Sequence, residues 1–307
     1  MVWLWVEIAK RYASNPYVAG YNPINEPCDP QHWRLPAFYD RLEPEIRAVD
    51  PNHILFLDGN TFAIEWKFFD KVLPNTAYAL HDYSLLGFPT GDRFKGTQDQ
   101  LEKLESQYCR KASFQTEKKV AVWNGEFGPV YADPAHEPNA EEINQERYNL
   151  LGAQLKVYDK YQIPWSIWLY KDIGVQGMVY TSPDSLWNKT IAPFLEKKKA
   201  YQLDAWGKHP SKQASEALAP LVKWIDEVCP QAKDTYPTTW ATERHMSRVT
   251  KEIFMAGAFS KEFALLFKDF SMEQLDELAK SFRFDQCKQR DGLNKILTAH
   301  AEVHKTA

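Results

Sequence analysis

Five short apolar runs constrain this chain more than any other feature. They are Tyr17 to Ile24, His53-Ile54-Leu55-Phe56-Leu57, Ala77-Tyr78-Ala79-Leu80, Lys119-Val120-Ala121-Val122-Trp123 and Pro164 to Tyr170. Each is nearly continuous rather than alternating, which suits strands covered on both faces. Between them lie segments with helical spacing. The opening residues set Trp3, Val6, Ile8 and Tyr12 against Glu7, Lys10 and Arg11. Leu35 to Val49 reads as a helix despite Pro44. Glu141 to Tyr161 places Ile143, Leu150, Leu151, Leu155 and Tyr158 along one broad face. Strands alternating with helices predict an α/β fold with a parallel sheet.

The polar residues gather at the C-terminal end of each run: Asn25 and Glu26, Asp58 and Asn60, His81 and Tyr83, Glu126, then Lys171 and Asp172. In α/β folds that end is where ligands bind. From Trp206 onward the pattern turns helical, over Ala217 to Val228, Met246 to Phe270, Met272 to Phe284 and Asp291 to Val303, with Ser271 as an N-cap and Glu273 in the first turn. The chain therefore divides into an α/β portion over 1–205 and a helical C-terminal extension over 206–307 that packs on it.

With 44% hydrophobic residues, 307 residues bury a sizeable core. A net charge of −4 gives no case for nucleic acid or an anionic membrane surface. No apolar stretch is long enough to span a bilayer. The start, MVWLWVEIAKRYA, has no basic n-region or small-residue cleavage site, so it reads as a helix and not a signal peptide; the compartment stays open, and an extracellular full-length parent fits. Cys28, Cys109, Cys229 and Cys287 form no CxxC, and their pairing cannot be deduced. His300 and His304 share a helix face at the terminus, where a solvated helix end is the simpler reading than a metal site. Asn188-Lys189-Thr190 is a glycosylation sequon, relevant only to a secreted chain. No cofactor is expected.

Glu26 and Glu126 end different strands. Facing each other across one mouth, two carboxylates suit glycoside hydrolysis: one protonates the leaving oxygen, the other attacks or activates water. Both sit in unusual frames, N-E-P and W-N-G-E-F-G. A residue before proline is biased to extended geometry, which aims Glu26. The glycines around Glu126 let other groups approach closely.

Four pieces of the chain, in order, resemble glycoside hydrolase family 5, the cellulase-type family of (β/α)8 barrels. They are Asn25-Glu26-Pro27, His81-Asp82-Tyr83, Trp123 to Gly128, and Trp165 to Asp172. Their spacing fits strands four to eight of the family barrel, so the expected fold is a partial TIM barrel over 1–205. The resemblance implies a retaining double displacement with Glu26 as general acid/base and Glu126 as nucleophile. It implies that Asn25 holds the 2-hydroxyl, that His81 and Tyr83 orient Glu126 and the sugar, and that Trp168 is a stacking platform. Trp66, Tyr170, Lys171 and Asp172 are weaker subsite candidates. The implied partner is a β-linked glucoside, mannoside or glucan.

The family barrel has three strands before the one bearing NEP, carrying an Arg and a His that support the glutamates. Neither those strands nor those residues precede NEP here. The resemblance therefore implies a C-terminal portion of a longer enzyme, with two unpaired sheet edges that invite self-association. The alternative expectation is a catalytically inactive fragment that binds carbohydrate or associates with a missing N-terminal half. A third reading makes the helical tail an interaction module.

Overall fold

The computed structural model describes residues 1–134, 137–201, 203 and 212–304, with the His304 side chain outside the description. The expected boundary at 205/206 also lies outside the described residues. The chain forms two compact units. The first is built from 1–84, 94–129 and 149–169; the second from 85–93, 130–148 and 170–307.

The first unit is α/β, with a four-stranded sheet in the order β1-β2-β3-β4, every pair parallel. Its elements are α1 (Val2–Tyr12), β1 (Gly20–Tyr21), α2 (Arg34–Arg47), β2 (Ile54–Asp58), the single turn α3 (Asn60–Ala63), β3 (Thr76–His81), α4 (Gln98–Lys111), α5 (Ser113–Lys118) and β4 (Ala121–Glu126). Helix α6 (Ala140–Tyr161) contributes residues to both units. In α2, Leu35, Tyr39, Leu42 and Ile46 recur on one face and are buried. Pro44 is tolerated because it and Asp40, whose carbonyl loses its partner, are exposed to water. Leu42, Ile46 and Leu55 reach zero exposure in the core. Trp66 stacks on Phe114 there, with centroids 5.4 Å apart and an interplanar angle of 17°.

Three expected runs become β2, β3 and β4, each reaching past its apolar residues into Asp58, His81 and Glu126. Ladder bonds belong to the main chain, so a strand continues where its side chains turn polar. The expected strand over 17–24 is corrected to two residues. Tyr17 is 96% exposed. Beyond Tyr21 a side chain takes over from the ladder: Asn22 Nδ2 donates to the Phe56 carbonyl at 2.8 Å, and Pro23 has no N–H. The fifth run makes no strand, only one parallel bridge from Trp165 to Asn124. Pro164 lacks a donor, and its carbonyl and the Ser166 N–H are the groups that bond Asn124.

The second unit holds β5 (Lys171–Asp172), parallel to β6 (Val179–Thr181), and β7 (Cys287–Gln289), antiparallel to β6. Its later helices are α7 (Leu186–Ala200), α8 (Lys212–Val228), α9 (Thr242–Ser247), a π-helical stretch over Arg248–Met255, α10 (Ala256–Leu265), α11 (Met272–Lys280) and α12 (Asp291–His304). The tail expected to be wholly helical thus carries a strand, because β6 has a free edge that β7 can pair with. The expected helix over 246–270 becomes π stretch and α10, and ends at Leu265. Ser271 caps α11: its hydroxyl accepts from Gln274 N–H at 3.2 Å, and Gln274 Oε1 accepts from Ser271 N–H at 2.8 Å. The sequon amide of Asn188 lies within α7 and donates to the Ser182 carbonyl at 2.8 Å. No helix among the described residues is long and apolar enough to cross a membrane.

Candidate active site

Strand register brings the site together. Asp58 pairs with Ala79 across β2 and β3, and His81 lies two residues beyond Ala79. Side chains two apart on a strand share a face. Leu80 pairs with Asn124, but the next pair is His81 with Glu126. Gly125 is the extra residue of a bulge. In an unbroken ladder Glu126 would be level with Asp82; the bulge sets it level with His81. Asp58, His81 and Glu126 therefore face one side of the sheet.

Glu26 reaches the same side from the loop that follows β1. Its backbone is left-handed, with φ of 46°, which corrects the expected extended geometry. The cause is a side chain: Asp58 Oδ2 accepts the Glu26 N–H at 3.0 Å, and this bond outweighs the bias imposed by Pro27.

His81 Nδ1 lies 2.8 Å from Glu26 Oε1 and 3.6 Å from Glu126 Oε2, while its Nε2 is 3.8 Å from Asp58 Oδ2. The Tyr83 hydroxyl donates to Glu126 Oε2 at 2.8 Å. Burial pushes the Glu126 carboxyl above its ordinary value, against the opposing pull of His81 and the Tyr83 hydroxyl. Burial works against a charged His81, yet Glu26, Glu126 and Asp58 together hold its pKa above the usual imidazole value. Burial also raises Asp58, opposed by the Glu26 N–H, His81 and Asn22.

Two glycines make this packing fit. A Cβ on Gly125 would stand 3.1 Å from His81 Nε2. One on Gly128, whose φ is 138°, would stand 3.0 Å from the Trp168 carbonyl. Behind the site, Lys111 Nζ binds Asp82 Oδ1 at 2.6 Å and the Tyr83 carbonyl at 2.8 Å. Tyr158 donates to Asp82 Oδ2 at 2.9 Å. This buried pair anchors the main chain between His81 and Tyr83.

Of the six expected residues, Glu26, His81, Tyr83 and Glu126 meet directly. Asn25 and Trp168 are exposed, Trp168 at 40%, and neither joins those contacts. The Trp168 N–H bonds the Phe127 carbonyl at 2.9 Å, which ties it to the segment after Glu126. Trp66 is a core residue, its indole N–H held by the Lys111 carbonyl at 2.6 Å. In the second unit Tyr170 is exposed, and the Asp172 carboxylate closes its own turn by accepting from Gly174, Val175 and Gln176. All four cysteines are free thiols. Sequence reasoning missed the parts played by Asp58, Asn22, Asp82 and Lys111. Asp58 stood in plain view at a strand end; nothing in the sequence signals that Lys111 reaches Asp82.

Glu26, His81 and Glu126 are the one group of three such donors, among the described residues, close enough for a metal ion, with one atom of each within 4.8 Å of the others. Hydrogen bonds already engage all three residues, His81 Nδ1 with Glu26 Oε1 and the Tyr83 hydroxyl with Glu126 Oε2.

A sequence model of the cellulase family, glycosyl hydrolase family 5, matches residues 2–174. A β-xylosidase from Phanerodontia chrysosporium is 43% identical over 311 residues, covering 99% of this chain. The chain spans 65% of that relative's length. Among solved structures, a mutant Thermotoga maritima Cel5A with cellobiose gives a TM-score of 0.48 at 19% identity, covering 61% of this chain and 62% of the other. An endoglucanase gives 0.46 at 19% identity, covering 54% and 56%.

Proposed function

The chain belongs to glycosyl hydrolase family 5, and on that premise we propose that it is a retaining β-glycosidase working through Glu126 and Glu26. The single observation that carries the reading is the network in which His81 joins both carboxylates while Tyr83 binds one of them. The facing oxygens lie within 4.8 Å. That favours retention, for which carboxyl groups stand about 5–5.5 Å apart, over inversion, for which they stand about 6.5–9.5 Å apart.

In the first step Glu26 gives its proton to the glycosidic oxygen as Glu126 attacks the anomeric carbon. The leaving group departs with that proton, and a glycosyl ester forms on Glu126. In the second step Glu26 takes a proton from water, the resulting oxygen attacks the anomeric carbon, and the ester breaks. Tyr83 and His81 orient Glu126. Asn25 binds the 2-hydroxyl and Trp168 offers a stacking face, a role its exposure suits. The four strands are read as strands four to seven of a (β/α)8 barrel, within an α/β portion over 1–205 followed by an extension over 206–307. The substrate is a β-linked glycoside: a glucoside, mannoside, glucan or, by analogy with the fungal relative, a xyloside.

The test is a panel of aryl β-glycosides and β-glucans assayed on this chain and on an N-terminally extended form, with product stereochemistry read by NMR. Glu126→Ala abolishes turnover on this reading; full hydrolysis by that variant would sink it. One observation favours a second reading, a carbohydrate-binding form that is silent until further chain joins it. The strand β1, five residues before Glu26, is outermost in its sheet and only two residues long. That edge also favours self-association. Monomeric behaviour with full turnover by this chain alone would refute it.

A further inference from the structure

The double displacement assigns no task to Asp58, yet this carboxylate is only 1% exposed. Among the described residues no lysine or arginine ion-pairs with it, and burying a carboxylate costs stability unless its oxygens are well bonded. Its bonds all lead to one place. Asn22 Nδ2 donates to Oδ1 at 2.8 Å, and the Glu26 N–H donates to Oδ2 at 3.0 Å. The Tyr39 hydroxyl fixes the Asp58 main chain by donating to its carbonyl at 3.0 Å. The same Oδ2 faces His81 Nε2 at 3.8 Å, and the other nitrogen of that ring touches Glu26 Oε1 at 2.8 Å.

These contacts close a ring: Glu26 main chain, Asp58 carboxylate, His81 imidazole, Glu26 side chain. We propose that Asp58 is a positioning residue for the acid/base glutamate. It grips the Glu26 backbone directly and the Glu26 carboxyl through His81. The inference rests on the proposed role of Glu26 and names the group that aims it.

The chemistry follows from what each atom can donate. A carboxylate only accepts, and at 3.8 Å its negative charge favours a ring that carries a hydrogen on His81 Nε2. With Glu126 and Glu26 on its other side, the ring is held as an imidazolium, and Nδ1–H donates to Glu26 Oε1. A protonated Glu26 then carries its proton on the other oxygen, free for the leaving group. Asp58 also explains the left-handed backbone of Glu26, a conformation a glutamate adopts only when something holds it there. The charged groups around His81 among the described residues are Asp58 and Glu126, at the ends of β2 and β4, and Glu26, in the loop after β1.

The first measurement uses the unaltered full chain. Ring nitrogen shifts of His81 by NMR read whether Nε2 carries a hydrogen near neutral pH. A protonated Nε2 is expected, and a bare Nε2 overturns the proposal. The second compares Asp58→Asn with wild type. Losing a hydrogen bond to a charged group lowers kcat/KM by roughly tenfold to a hundredfold, with KM little changed. The His81 titration midpoint falls, because an attracting negative charge is gone. A merely structural role would lower thermal stability and leave the midpoint where it was. Glu126→Gln serves as the control. If it is inactive while Asp58→Asn matches wild type in rate and midpoint, the Asp58 role is overturned and the glycosidase reading stands. If Glu126→Gln keeps full turnover, the glycosidase reading itself falls. Should Asp58→Asn fail to fold, or the chain turn over none of the panel, the wild-type ring measurement decides alone.

Discussion

Replacing Tyr83 with Phe removes one hydroxyl and keeps the ring. That hydroxyl donates at 2.8 Å to Glu126, a carboxylate with 8% of its surface exposed. A hydrogen bond to a charged group in such a place contributes about 1.5–3 kcal/mol. It favours the ionised form, which on the proposed mechanism is the one that attacks. Burial already holds the Glu126 carboxyl above its ordinary value, and Tyr83 is one of the two groups that pull it back. Without the hydroxyl the carboxyl rises further, so the acid limb of the kcat/KM profile moves to higher pH. Below that limb the rate falls by roughly tenfold to a hundredfold, the same 1.5–3 kcal/mol read as a rate. Above the limb Glu126 is ionised in both proteins and the loss shrinks. The assay is kcat/KM against pH with an aryl β-glycoside, for wild type and variant. An unmoved acid limb, or a loss equal at every pH, would refute the reasoning.

Further outcomes follow from neighbouring contacts. Because the folded Glu126 pKa is raised, its ionised form weakens the fold above the ordinary carboxylate value and has no such effect well below it. Glu126→Gln therefore melts higher than wild type near neutral pH, by about 2–4 °C for each kcal/mol regained, and the gap closes as the pH falls; a lower melting point at pH 7 contradicts this. Lys111→Met strands the buried Asp82 carboxylate and costs about 3–5 kcal/mol in urea unfolding, whereas adding Asp82→Leu to it recovers part of that loss. Gly125→Ala pushes a methyl against His81 Nε2, lowering kcat by about tenfold to a hundredfold while circular dichroism stays that of the wild type.

Much of this was legible in the residues. The runs at 53–57, 77–80 and 119–123 became strands because apolar, β-branched and aromatic residues bury well on both faces of a parallel sheet. The polar residues at their ends mark the candidate site, and four of the six expected side chains touch. The first and fifth runs misled because hydropathy does not report donors: Pro23 and Pro164 have no N–H, and Asn22 spends its side chain where a ladder bond would stand. Glu26 misled for a related reason, since a distant carboxylate decides its backbone. Asp58, Asp82 and Lys111 depend on register and on contacts across tens of residues, which no local pattern encodes. Gly125 was visible as a glycine, but that it shifts the ladder by one residue emerges only from the pairing.

The carboxylates that surround His81 have a meaning for inhibitors. Three acids converge on a single ring, and the described contacts bring no lysine or arginine to them. A charged His81 offsets only part of that negative field, and a neutral sugar, the proposed substrate, leaves the rest unanswered until positive charge builds at the anomeric centre. A ring-nitrogen sugar mimic that is already cationic meets the field in its ground state. Such compounds should bind far more tightly than neutral sugars of the same shape, and salt should weaken them little because the acids are sheltered. The site would thus be recognised by its appetite for cations before its preferred sugar is known.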